Sequence, residues 1–225
     1  MRFLRGLANY RRAGSPANRL RRRRFELFNQ LLSRVPRPLR ILDVGGLEEF
    51  WEILGLADEP GVEIVLVNLT AGTTRRSNMT SIVGDGRSMP GFRDGEFEVV
   101  FSNSVIEHVG GWDDQRRMAD EIRRIGQRYF VQTPNRNFPV EPHFLMPAFQ
   151  FLPVRARVAL LRRMPLGYTP RTPDHAAATR AVTAIRLLSR REMIELFPGA
   201  ALHRERILGL TKSFIAYGGW EAMSE

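Results

Sequence analysis

A chain of 225 residues, 43% hydrophobic and 26% charged, has the composition of a globular protein and reads most simply as one domain with additions. It contains no cysteine, which excludes disulfides, thiolate metal sites and a cysteine nucleophile. No apolar run approaches the ~20 residues that a membrane span needs. The formal charge of +10 is unevenly spread, because residues 1–40 hold twelve arginines and one glutamate, net +11, which leaves the remainder at −1. Lys212 is the only lysine, so part of the arginine excess is a bias of the whole chain. That argues against nucleic acid as a partner. The basic start, Met1 to Leu7, lacks the apolar core of a secretory signal. A cytoplasmic location is expected.

Taken in order, residues 1–17 place Gly6, Gly14, Ser15 and Pro16 among arginines and are expected to lack a fixed fold. Asn18 is the expected cap of a helix running to about Arg34. Leu20, Phe25, Leu27, Phe28, Leu31 and Leu32 form its apolar face and Arg21 to Arg24 its charged one. Two readings stay open for this segment. It is a basic amphipathic helix making peripheral contact with an anionic membrane, or it covers one end of a sheet with its arginines in solvent. The second is preferred. Pro36 and Pro38 end the helix. Residues 1–38 are therefore set apart as a basic arm and helix, and 39–225 as the main domain.

Leu39 to Val44 reads as a strand, followed by Gly45-Gly46 and then by Leu47 to Leu54, a helix. A strand feeding a helix through a glycine turn is how open α/β sheets hold nucleotide-like ligands. Asp43 stands before the glycines and no third, spaced glycine follows. This points away from a dinucleotide and toward a ligand carrying a cation. Val62 to Val67 is the second strand, near-continuously apolar as a buried parallel strand should be. It ends at Asn68-Leu69, where an acid usually binds both ribose hydroxyls. Asn68 still offers one acceptor and one donor to a diol. Met79 to Val83 is the third strand, followed by Gly84-Asp85-Gly86-Arg87.

Gly95 to Phe101 reads as the fourth strand, with Ser102-Asn103-Ser104 at its end and Val105-Ile106-Glu107-His108-Val109 beyond. A helix beginning at Asp113 or Asp114 and reaching Ile125 carries Met118, Ile122 and Ile125 on one face. Arg128 to Thr133 is the fifth strand. From there to about residue 185 lies an insertion, predicted between about 136 and 185. It opens with a loop bearing Glu141 and His143. Phe144 to Met164 is an aromatic and aliphatic stretch with arginines, open to reading as a lid, a membrane-facing hairpin, a dimer surface or a packed helical cap. Residues 165–180, with four prolines or glycines, read as loop. Ser189 and Glu192 form a capping box. Ala200 to Leu208 and Thr211 to Tyr217 read as an antiparallel hairpin at the sheet edge.

These motifs together resemble a class I S-adenosylmethionine-dependent methyltransferase of the type-11 domain kind. The resemblance covers roughly residues 39–135 and rests on Ile41-Leu42-Asp43-Val44-Gly45-Gly46, Asn68-Leu69, Val83 to Pro90 and Phe97 to Val109, each at the carboxyl end of a strand. It implies a Rossmann-like, doubly wound seven-stranded sheet, six strands parallel and one antiparallel, and S-adenosylmethionine as cofactor. Carried across, Asp43, Gly45 and Gly46 would lie against the cofactor's amino-acid part, and Asn68 and Leu69 would hold the ribose and one adenine face. Asp85, Gly86 and Arg87 would meet the adenine edge, and Ser102 and Asn103 would lie beneath the methionine portion. The chain departs from the family pattern in its short glycine pair and in Asn68. Candidate catalytic residues are His108, His143 and Glu141, since a hydroxyl acceptor needs a group to hold its proton; His-x-Glu spacing alone makes no metal site, and none is expected. The expected activity is O-methylation of a small molecule, a saccharide or a lipid-linked glycan. The alternative is a non-catalytic adaptor that uses the arginine-rich arm on a membrane or nucleic acid. A nicotinamide oxidoreductase is disfavoured, because the chain has neither a spaced Gly-x-Gly-x-x-Gly nor a Tyr-x-x-x-Lys pair.

Overall fold

Residues 16–220 are described by a computed structural model; the rest of the arm, residues 1–15, lies outside the described residues. Seven strands, β1 Leu39–Val44, β2 Val62–Asn68, β3 Met79–Val83, β4 Val99–Asn103, β5 Tyr129–Pro134, β8 Ala201–Ile207 and β9 Leu210–Gly218, form one sheet in the order β3-β2-β1-β4-β5-β9-β8. β1 to β5 pair in parallel, and β9 runs antiparallel to both β5 and β8. Six strands therefore share one direction and one opposes them. The closing hairpin does not simply extend the edge, because β9 inserts between β5 and β8. A two-stranded ribbon, β6 Val140–Glu141 with β7 Met146–Pro147, stands apart.

The period of two along β1 explains the layering. Leu39 and Ile41 point to one face, and Leu42 and Val44 to the other. On the first face lies α1 (Pro16–Leu32), whose Phe28 and Leu31 pack on Phe101 and Phe130 together with Trp51 from α2 (Glu48–Leu54). On the second lie α3 (Trp112–Ile125), through Met118, Ile122 and Ile125, and α6 (Arg190–Leu196), through Met193 and Leu196. The insertion has a small core of its own, in which Phe144, Phe149, Val158 and Leu161 meet Ala178 and Val182. Its helices are α4 (Val154–Arg163) and α5 (His175–Thr183).

Three expectations need correcting. The backbone is already helical at Pro16, so Asn18 lies inside α1 and is not its cap. Residues 175–180, the end of the segment read as loop, belong to α5: beyond Pro173 no proline or glycine interrupts the segment, and the Asp174 carboxylate caps it by accepting from the Ala177 amide at 2.7 Å. Arg24, assigned to a solvated face, is almost wholly buried. The Ser189–Glu192 capping box forms as expected, with Ser189 N donating to Glu192 at 2.7 Å and Glu192 N to the Ser189 hydroxyl at 3.3 Å.

Candidate functional site

The carboxyl ends of β1, β4 and β5 open onto a crevice of about 1070 Å³, roofed by α1. Its lining brings together Asp43 from β1, Gly45 and Gly46 from the β1–α2 turn, Phe50 from α2, Asn103 at the end of β4 and Ser104 just past it, Gln132 and Pro134 from β5, His143 from the insertion, Lys212 from β9, and Arg21, Arg22, Arg24 and Phe25 from α1. The geometry of the turn is set by its glycines. Gly45 sits at φ +82°, and a Cβ on Gly46 would stand 1.7 Å from an Asp43 carboxylate oxygen. Asp43 is buried and accepts from the Trp51 indole N–H at 2.8 Å. Burial pushes its carboxyl up to about 7, and the Trp51 hydrogen bond opposes this without cancelling it.

The neighbouring strand ends hold the other expected residues, outside that lining. Asn68 donates one side-chain N–H to the Gly46 carbonyl at 2.9 Å, so one of its two donors is used on the glycine turn. Leu69 is exposed. Asp85 is clamped by Arg87, which gives Nε at 3.0 Å and a terminal nitrogen at 2.6 Å. That hydrogen bond is the main reason the Asp85 carboxyl lies below its usual range. The same guanidinium reaches Asp114 at 3.2 Å. Arg87 thus ties the end of β3 to α3. Gly86 is pressed against β1, since a Cβ there would meet the Val44 side chain at 2.7 Å. Ser102 is fully buried and its hydroxyl donates to the Val44 carbonyl at 3.2 Å, so it braces the strand ends beneath the crevice.

α1 is latched to the far side of the sheet by Arg24. The guanidinium makes a bidentate pair with Glu205 on β8, at 2.9 and 2.6 Å, and also donates to Asn103 and, at 3.0 Å, to Gln132. Glu205 is buried and also accepts from the Ser213 hydroxyl. Lys212 beside it has its ammonium disfavoured, first by burial and then by Arg24, with Glu205 opposing. Helical spacing signalled the position of Arg24: it lies four residues from both Leu20 and Phe28, on the buried stripe.

The candidate catalytic residues converge. The His143 Nδ1 lies 2.7 Å from Glu141, whose other oxygen accepts from the amides of His143 and Phe144 at 2.8 and 2.6 Å. The His143 and His108 rings meet edge to face with centroids 4.9 Å apart. Burial disfavours the His143 imidazolium, but the Glu141 hydrogen bond and charge, with the Glu107 charge, outweigh it and hold the pKa above its usual value. His108 is pressed the other way, to about 4, by partial burial and then by His143. Glu107 was not among the expected site residues. It is fully buried on the 3-10 turn Ile106–His108; one oxygen accepts from the Thr133 hydroxyl at 2.9 Å, and burial raises the carboxyl to about 7. An acid between apolar residues just past a strand was the available signal.

Among the described residues no helix is long and apolar enough to cross a membrane. Residues 44–128 match the model of a methyltransferase domain family. A curated relative from Mycobacterium tuberculosis, the uncharacterized protein MT1557, is 40% identical over 53 residues, 24% of this chain and 18% of that protein. The match spans less than a fifth of the relative. The fold is similar to the PH0226 protein of Pyrococcus horikoshii (15% identity, 93% of this chain and 92% of that one, TM-score 0.55) and to a SAM-dependent methyltransferase of Methanosarcina mazei (12%, 84% and 95%, 0.51). It is also similar to a Rhodobacter sphaeroides structure named for Zn-dependent alcohol dehydrogenases (12%, 84% and 86%, 0.56). At these identities the likenesses speak for the fold alone, which methyltransferases share with other α/β enzymes. Sheet order, the motifs at the strand ends and the matched domain agree: residues 44–128 are a methyltransferase domain of the class I S-adenosylmethionine-dependent kind.

Proposed function

We propose that this enzyme methylates a hydroxyl oxygen of a saccharide or lipid-linked glycan. The observation that supports it most is the Glu141–His143 pair at 2.7 Å, with His143 facing the crevice that Asp43, Gly45 and Gly46 also line. Methyl transfer to an amine or phenolate needs little beyond alignment. An alcohol keeps its proton until the transition state, so a cluster of two histidines and two glutamates beside the acceptor is of most use to an alcohol. Bound S-adenosylmethionine supplies an electrophilic methyl on a sulfonium whose leaving thioether is neutral.

The chain's own residues fit that cofactor. The buried Asp43 carboxylate is costly without a cation beside it, and Gly46 leaves the approach to it free of any Cβ. Asn103 lies beside them on the crevice wall. Arg21 and Arg22 of α1 bring positive charge to the lining, which suits an acceptor carrying phosphate. The arginine-rich arm extends this to peripheral contact with an anionic membrane, where a lipid-linked acceptor resides.

The test is calorimetric titration of the full chain with S-adenosylmethionine. It is followed by transfer of labelled methyl to a panel of free sugars, polyprenyl-linked saccharides and amines. Micromolar cofactor binding and alkali-stable label on a saccharide are expected. Label confined to amines would overturn the oxygen assignment, and no binding at millimolar cofactor would overturn the cofactor roles.

A further inference from the structure

We propose that Glu107, His108 and His143 form a binding site for one divalent transition-metal ion, in which an acceptor hydroxyl completes the coordination. The inference deepens the oxygen-methylation reading and rests on it for the acceptor alone; cation binding stands on the geometry. One ligand atom from each of the three side chains lies within 4.8 Å of the others, and Glu107 Oε1 is 4.0 Å from His108 Nε2. Ligands of a tetrahedral ion at ~2.1 Å stand about 3.4 Å apart, so side-chain rotations of about an ångström close the set.

The second observation is the state of Glu107. Its Oε1 is buried and accepts no hydrogen bond, while Oε2 is held by Thr133. A buried carboxylate oxygen without a partner is expensive, and a cation beside His108 would satisfy it. The surroundings are also those that ligand side chains require. A metal-bound histidine gives its other ring N–H to a carboxylate, and Glu141 at 2.7 Å from His143 Nδ1 does this, leaving Nε2 for the ion. The Thr133 hydroxyl fixes the carboxylate in the same manner. With the imidazoles neutral and the carboxylates ionised, as ligation requires, the four groups sum to −2, which a divalent ion balances. Two imidazoles with one carboxylate suit zinc, iron(II), cobalt or manganese better than magnesium or calcium.

His108 is partly exposed and His143 lines the crevice, so the fourth position faces the acceptor's side. A cation there lowers the pKa of the acceptor hydroxyl. The proton passes to water, the oxygen–methyl bond forms as the carbon–sulfur bond of the sulfonium breaks, and the neutral thioether leaves.

The experiment uses tag-free, full-length protein stripped with chelator, then titrated with zinc(II) against a chromophoric competitor and separately with cobalt(II). One equivalent bound below micromolar concentration and visible d–d absorption of a low-coordinate cobalt site are expected. Glu107→Gln and His143→Ala should each weaken zinc by about 100-fold or more, and Glu141→Gln, one step removed from the ion, by about 10-fold. Circular dichroism and cofactor affinity should stay as in the parent. Failure to bind one equivalent, or equal binding by Glu107→Gln and His143→Ala, overturns the site. Should one of them not fold, His108→Asn carries the same comparison. Methyl transfer to a hydroxyl that survives chelation unchanged would remove the cation from the reaction and leave the oxygen-methylation reading intact. Absent cofactor binding by protein that holds zinc would do the reverse.

Discussion

The two ends of the crevice are built by different means. At the end proposed for the cofactor the parts are neighbours in the chain: Asp43, Gly45, Gly46 and Trp51 fall within one strand–turn–helix unit, and the next strand adds Asn68 through one hydrogen bond to Gly46. What matters there is backbone conformation and close approach. At the end proposed for the acceptor the parts come from far apart. Arg24 reaches Glu205 across 181 residues, Thr133 reaches Glu107 across 26, and His143 arrives on an insertion. What matters there is the mutual compensation of buried charge, so each group depends on another's presence. Changes at the first end should act through sterics on cofactor affinity, and changes at the second through uncompensated charge on stability and on the acceptor.

The largest expected effect is at the charged end. Arg24→Met leaves Glu205 buried without its partner, which should cost about 3 kcal/mol of stability by urea unfolding, the low end for breaking a buried pair. Adding Glu205→Gln should restore about half or more. A loss under 1 kcal/mol would mean that Arg24 holds α1 by packing alone. Next is the steric end. Gly46→Val drives a side chain into the Asp43 carboxylate and should weaken S-adenosylmethionine about 100-fold, some 2.7 kcal/mol, by calorimetry. Stability should change far less than for Arg24→Met. Unchanged cofactor affinity would show that this turn is not where the cofactor lies.

The same division explains what could be read from the amino-acid order. Parallel strands, their sequence along the chain and the glycine turn were legible because periodicity and glycine chemistry are local. The Ser189–Glu192 cap was legible for the same reason. The helix at 175–183 was not, because the prolines and glycine at 165, 167, 170 and 173 coloured the reading of residues beyond them. Asp85 was readable as a loop acid, but its engagement by Arg87 depends on which way one arginine turns. Spacing marked the positions of Glu107 and Arg24 but not their burial: charged residues are normally solvated, and burial is tolerated only when Thr133, Glu205, Asn103 and Gln132 arrive from other elements. Glu141 and His143 were marked by their spacing, but their meeting with His108 depends on how the insertion folds back.

Asp43 tests the cofactor end by pH. Its carboxyl titrates near 7 when folded against an ordinary 3.8, so the folded state binds the proton more tightly than the unfolded one. The stability it contributes is fully present below about pH 4 and is lost as pH rises to about 7. Cofactor affinity should run the opposite way, because a sulfonium and an ammonium favour the ionised form. It should climb toward a plateau above pH 7. Asp43→Asn should flatten both trends, raise apo stability at pH 8, and weaken the cofactor about tenfold at pH 8 but little at pH 6. Parallel, rather than opposed, pH dependences of stability and affinity in the parent would remove Asp43 from the cofactor's surroundings.

The smallest effect asks whether the division holds where a local motif sits at the long-range end. Ser189→Ala deletes the cap of α6, and such losses cost about 1 kcal/mol. Glu192, the other half of that cap, also accepts from Arg186 at 2.6 Å. Arg186 in turn donates to Gln115 at 2.6 Å, and its amide donates to the Glu107 carbonyl at 2.8 Å. A local signal is thereby wired to the turn that carries Glu107 and His108. If the cap acts only locally, stability falls by about 1 kcal/mol, cofactor affinity stays within about twofold and acceptor turnover is unchanged. If the network carries strain to the turn, turnover falls more than stability while cofactor affinity still holds. A fall in cofactor affinity would join the two ends of the crevice and break the comparison on which these expectations stand, because no hydrogen bond in the chain from Ser189 through Arg186 to Glu107 reaches the β1–α2 turn.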